Sequence, residues 1–159
     1  MIDLILKLAS TLAGLGGQLH GLRRDRRDRI ADLMTSIADC VADIAAQFRA
    51  SEDLANDRCY ELLLYLNDLE KTVEGVITDD RLHHLIGVLE SAMAGPFGLA
   101  MLRYDLGFRS ARRGMVDEKM TTMRLEERKK RMARAESSLL ALDVANGSFR
   151  ATANLLRAS

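Results

Sequence analysis

Ile30-Ala31-Asp32-Leu33-Met34-Thr35-Ser36-Ile37-Ala38-Asp39-Cys40-Val41-Ala42-Asp43-Ile44-Ala45-Ala46-Gln47-Phe48 is the stretch that decides the fold. Its large apolar residues, Ile30, Leu33, Met34, Ile37, Val41, Ile44 and Phe48, recur every three or four positions. That interval winds them into one stripe along a helix. Asp32, Asp39 and Asp43 fall off the stripe. A helix that is apolar along one side needs other helices to cover it, and the flanking sequence supplies them.

Downstream, Leu62, Leu66, Leu69, Val73 and Val76 predict a second helix over about 53–77, with Ser51 as its cap. The two helices are expected to form an antiparallel hairpin. Thr78-Asp79-Asp80 predicts a fresh cap with an acidic first turn, and Leu82, Leu85, Ile86, Leu89 and Met93 carry the next helix inward. Gly95-Pro96-Phe97-Gly98 is the strongest break in the chain, since proline lacks a donor and glycine ends helices. A short apolar helix (Leu99–Leu106) and a basic joint (Gly107–Gly114) follow. From Met115 a long helix presents Val116, Met120, Met123, Met132, Leu139 and Leu142 on one face. Asn146-Gly147-Ser148 predicts the end of that helix and the cap of a last segment carrying Phe149, Ala153 and Leu156. Between Glu126 and Arg134 the apolar face thins to Met132, so this stretch is expected to project from the bundle.

Upstream, the first 22 residues hold only two charges, Asp3 and Lys7. Ile2, Ile5, Leu6, Leu8, Leu12, Leu15 and Leu19 occupy most of the circumference of a helix over about 2–20, which implies burial on most sides. Its apolar run is short of the roughly 20 residues a membrane span needs. It also lacks the basic start and cleavage site of a secretory signal. Ala9, Ala13, Gly17 and Gly21 step by four along it, a spacing that permits close helix approach. The competing reading is a turn near Gly16-Gly17.

The fold class is therefore all-α. One domain over 1–159 is expected, a single bundle of four to five long helices with an extra N-terminal apolar helix. It divides into that helix (1–20), central helices (22–94) and basic C-terminal helices (99–159). Hydrophobic content of 48% and charged content of 29% suit a globular chain. Formal net charge is zero, yet residues 1–80 carry 9 Lys/Arg against 15 Asp/Glu, and residues 81–159 carry 14 against 8. The simplest use of that asymmetry is complementary helices packed side by side.

No catalytic constellation stands out, and no enzyme activity is expected. His83 and His84 are adjacent and point about 100° apart on a helix, so they cannot share a metal. Cys40 and Cys59 form neither a disulfide framework nor a zinc pattern and read as small buried hydrophobes. No metal and no cofactor is expected. Arg23, Arg24, Arg26 and Arg27, placed behind the apolar segment, are candidates for phosphate or headgroup contact. Arg24–Asp28 and Asp25–Arg29 are also four apart and suited to pair with each other. Arg128-Lys129-Lys130-Arg131, with Arg124 and Arg134, is a second basic run, without aromatic residues for base stacking.

Residues 22–77 carry Leu22-Arg23-Arg24-Asp25-Arg26-Arg27-Asp28-Arg29-Ile30-Ala31-Asp32, Ile37-Ala38-Asp39-Cys40, Arg58-Cys59-Tyr60-Glu61-Leu62 and Val73-Glu74-Gly75-Val76-Ile77. This third of the chain resembles effector-associated adaptor modules at the N-terminus of bacterial signalling and defence proteins. That resemblance implies recruitment of a partner by helix–helix contact. The apolar first helix ahead of a bundle is also similar to HeLo-like cell-death domains, including those of mixed-lineage kinase domain-like proteins, whose N-terminal helices engage membranes.

The function expected from these readings is a non-enzymatic interaction or effector module of bacterial signalling or defence. It acts by self-association or membrane engagement through its first helix. Ile2, Ile5, Leu6, Leu12, Leu15, Gly17 and Gly21 are the expected docking positions. The partner is this chain itself, as a homo-oligomer, another helical domain, or a membrane surface. The location is cytoplasmic, with peripheral attachment at the inner face of the cell membrane. The alternative is a nucleic-acid-binding protein that uses the basic C-terminal helix.

Overall fold

The computed structural model describes residues 1–50, 56–75, 77–94 and 118–158. Among these residues every regular element is a helix and there is no strand: α1 (Ile2–Gly14), α2 (Gly16–His20), α3 (Arg24–Arg49), α4 (Asn56–Val73), α5 (Asp80–Ala94) and α6 (Glu118–Arg157). The Ser51 cap, Val76, the Gly95–Gly98 break, the Leu99–Leu106 helix, the Gly107–Gly114 joint, and Met115 with Val116 lie outside the described residues.

α3 is the hub. Ile30, Leu33, Met34, Ile37, Val41 and Ile44 are all buried, as their spacing predicts. α3 makes its largest contact with α6 and a second with α4. α4 packs on α5, α5 on α1, and α1 on α6, which closes a ring of five helices around one core. Cys40 and Asp43 of α3 meet Glu61 and Arg58 of α4 in reverse order, so the two form the expected antiparallel hairpin. Asp32, Asp39 and Arg49 of α3 likewise meet Arg157, Arg150 and Asp143 of α6, so that pair is antiparallel as well.

Local chemistry sets the ends of the elements. The first helix breaks at Leu15, so the expected single helix over 2–20 is two, and the turn reading of the glycines holds. α4 stops at Val73, short of the expected end near 77, because Gly75 takes a φ of 71°. That left-handed backbone suits glycine and ends helices. Asp79 caps α5: its Oδ1 accepts the Arg81 N–H at 2.8 Å. His83 Nε2 lies 3.0 Å from the Ile77 carbonyl and ties the connection to α5.

The expected break at Asn146-Gly147-Ser148 does not occur, and α6 runs through it for 40 residues. A glycine inside a helix costs up to about 1 kcal/mol. The buried stripe of Leu142, Ala145, Phe149, Thr152, Ala153 and Leu156 crosses that point without a gap. A buried Leu or Phe contributes about 1.5–3 kcal/mol, so packing outweighs the local signal.

Candidate functional site

The first helix is the expected docking element, and in this structure most of its expected positions lie inside the bundle. Ile2, Ile5, Leu12 and Leu15 are buried, Leu12 completely, and Leu6 is half-buried against the same core. The reason is placement: α1 lies between α5 and α6, whose apolar sides cover it. A partner cannot reach these side chains while the bundle is closed. The four-residue ladder is no single face either, because Ala9 is buried while Ala13, Gly17 and Gly21 are exposed. A β-carbon placed on Gly17 meets nothing within 4 Å, and one on Gly21 meets only the Gln18 carbonyl at 3.4 Å. Neither glycine is required by a helix crossing inside this molecule.

The arginine cluster lies at the start of α3. Arg23, Arg24 and Arg26 are exposed, and Arg27 is half-buried with its Nε enclosed. Arg24 pairs with Asp28 at 3.7 Å, one turn on, in the internal pairing its spacing predicts.

Between α3 and α4, Arg58 bridges Asp43 and Glu61, and the Cys40 thiol donates to Glu61 Oε2 at 3.7 Å. Burial, and then the Glu61 carboxylate, pushes that thiol up to about 11. The thiol therefore stays protonated at neutral pH and packs among these groups. Between α4 and α5, burial and the Glu70 carboxylate hold Glu90 above the usual carboxylate range, against a hydrogen bond from Asn67. Among the described residues no group of three or more His, Cys, Asp or Glu side chains could hold a metal ion. None of the described helices is long and apolar enough to cross a membrane. A cleft of about 340 Å³ opens beside the start of α1, lined by Ile2, Asp3, Arg134, Ser137 and Ser138.

The surface that sequence reasoning missed is the outside of α6. Five of the seven large apolar side chains exposed among the described residues belong to it: Leu125, Met132, Leu140, Val144 and Leu155. At about 100° per residue, Leu140, Val144, Gly147, Ala151 and Leu155 fall within about 80° of one another. Their mean direction is about 150° from that of the buried stripe, so α6 is apolar on two opposite sides. The pattern was present in the spacing of 140, 144, 151 and 155, but the expected break at Gly147 divided it.

α6 also outruns its neighbours. Ile2 and Asp3 share the cleft with Arg134, Ser137 and Ser138, while Ser148 Oγ lies 3.5 Å from the Ala9 carbonyl. α1 therefore runs parallel to α6 and starts level with residue 134. α3 ends at Arg49, which pairs with Asp143. Residues 118–133 lie beyond both, an arm of about 24 Å. Every described side chain from Leu125 to Arg134 is exposed, Met132 among them, as expected for a projecting stretch. Compared with known proteins, the chain matches no family model, no curated protein and no solved structure.

Proposed function

We propose that this chain is a non-enzymatic helical interaction module that works as an assembly of its own copies, formed by helix–helix contact along the outer face of α6. One observation carries the reading. Leu140 and Val144, 65% and 52% exposed, stand on the side of α6 opposite Leu142 and Phe149. A helix that is apolar on both sides suits the interior of an assembly. Single exposed leucines are ordinary on a monomer, whereas a stripe over about four turns marks a contact surface. The proposed setting is bacterial signalling or defence, supported by the likeness of residues 22–77 to adaptor modules. Membrane engagement by α1 belongs to a different, opened state, because α1 is spent on the core.

Light scattering over a range of concentrations tests the proposal. The wild type is expected to exceed the 17.7 kDa of one chain. Leu140→Glu with Val144→Glu is expected to lower its mass with its helical circular dichroism unchanged, since both positions are exposed. A wild type that stays at one chain's mass throughout overturns the reading.

A further inference from the structure

Two surfaces of this molecule complement each other but cannot meet within one copy. The first is the projecting arm of α6. Residues 124–134 hold six Lys/Arg against two Glu, with exposed Leu125 and Met132 seven residues apart. The second is the outer face of α4. Residues 56–75 hold five Asp/Glu against two Lys/Arg. One of those cations, Arg58, is occupied by Asp43 and Glu61. Tyr60 and Leu64, 65% and 66% exposed, lie one turn apart on that helix. They point about 150–170° from the mean of its buried Leu62, Leu66, Leu69 and Val73. Asp68 and Glu74 flank them; Lys71 shares the face and leaves the acids in excess.

We infer that the α6 arm of one copy docks on the outer face of α4 of a second copy. This rests on the self-association proposed above and adds a second, head-to-tail contact to the one on the α6 outer face. Charge complementarity selects the occupant: an excess of four positive charges on the arm faces an excess of three negative charges over residues 56–75. The chain as a whole is neutral, so copies do not repel one another. The arm is a straight continuation of α6, which packs on the other side of α3, so it does not fold back onto its own α4. Leu125 and Met132 meet Tyr60 and Leu64, while Lys129, within about 60° of both, faces Asp68 and Glu74, and Lys130 adds its charge from the far side of the arm. Because donor and acceptor surfaces differ, the contact is head-to-tail and repeats from copy to copy. Mass then grows with concentration instead of stopping at two chains, and salt weakens the contact.

The test is a charge exchange read by light scattering. Lys129→Glu with Lys130→Glu makes an arm variant; Asp68→Lys with Glu74→Lys makes a face variant. Each alone is expected to fall below the wild-type mass, to what the α6 outer face alone holds together, while remaining helical, and an equimolar mixture of the two is expected to regain the wild-type mass. A wild type that assembles while both variants assemble equally well overturns this inference and leaves the α6 outer-face reading standing. So does an arm variant of unchanged mass that loses salt-sensitive binding of a 30-nucleotide DNA shown by the wild type, since the arm then serves nucleic acid. A wild type of single-chain mass at every concentration removes both readings together.

Discussion

Arg150 on α6 pairs with Asp39 on α3, 111 residues earlier in the chain. Seven residues along each helix, Arg157 pairs with Asp32 at 2.8 Å. These pairs join the acidic first half of the chain to the basic second half, which is the intramolecular use of the charge asymmetry. The Arg150 and Asp39 side chains are 47% and 58% exposed, so water screens them. Exposed pairs contribute about 0.2–1 kcal/mol. A double-mutant cycle on Asp39→Ala and Arg150→Ala, followed by urea unfolding, should give a coupling in that range that shrinks in high salt. A coupling several-fold larger would mean that the pair, and not apolar packing, holds α6 to α3.

Leu12→Ala separates a core role for α1 from a docking role. Leu12 is fully buried, and such truncations cost about 2–5 kcal/mol through lost burial and the cavity left behind. The expected result is a lower unfolding midpoint with no change in association at low denaturant. Unchanged stability with lost association would restore α1 as the docking element.

The helices were legible where apolar periodicity was strong. Ile30 to Ile44 predicts the buried side of α3 residue by residue, because one face of that helix is core and its acids lie on the opposite side. Asp32 and Asp39 are exposed there and Asp43 is half-buried, and Arg157, Arg150 and Arg58 of the neighbouring helices reach round to them. Two features were not legible. Whether the apolar α1 is covered depends on which helices flank it, and that is a property of the ring and not of residues 1–20. Continuity through Gly147 depends on Phe149 and Ala145 reaching the core together, a gain that a local cap signal does not contain.

Cys40 gives a prediction at high pH. A thiol whose pKa rises from 9.0 to about 11 on folding contributes stability that is fully present below the unfolded value and is lost as pH rises through the folded one. In a Cys59→Ser background, the wild-type unfolding midpoint should fall between pH 9.0 and about 11 more steeply than that of Cys40→Ala. Equal slopes would show that the thiol stays protonated, or is accommodated charged, throughout.

Glu90 gives the acid-side counterpart. Burial and then Glu70 raise its pKa, so the folded state holds the proton more tightly than the unfolded chain. Its favourable contribution is fully present below the ordinary carboxyl value of about 4.3 and is lost as pH rises through the folded value. At neutral pH the charged form is a burden on the α4–α5 contact, where Glu70, Asn67 and Lys71 surround it. Glu90→Gln should therefore raise the melting temperature at pH 7 and flatten its dependence on pH in the acid range. A lower melting temperature at pH 7 would show that the carboxylate is bound by a cation there.

Gly147 tests the outer face of α6 without adding a charge. It lies on the exposed side between Val144 and Ala151, and a β-carbon there meets nothing within 4 Å. Within one molecule the glycine has no packing reason, so Gly147→Ala should stabilise the fold by about 0.5–1 kcal/mol through helix propensity. Where a second helix is seated on Leu140 and Val144, the added methyl group stands in the line of approach and holds the two backbones apart. The expected outcome is a split: a higher denaturation midpoint at low protein concentration, together with a lower mass by light scattering at high concentration. Neither effect alone makes the case, because propensity raises stability whatever touches the helix, and surface substitutions can weaken association indirectly. Opposite signs in one variant separate the two, since only a glycine kept for contact between helices would leave folding stability unrealised in the middle of a 40-residue helix.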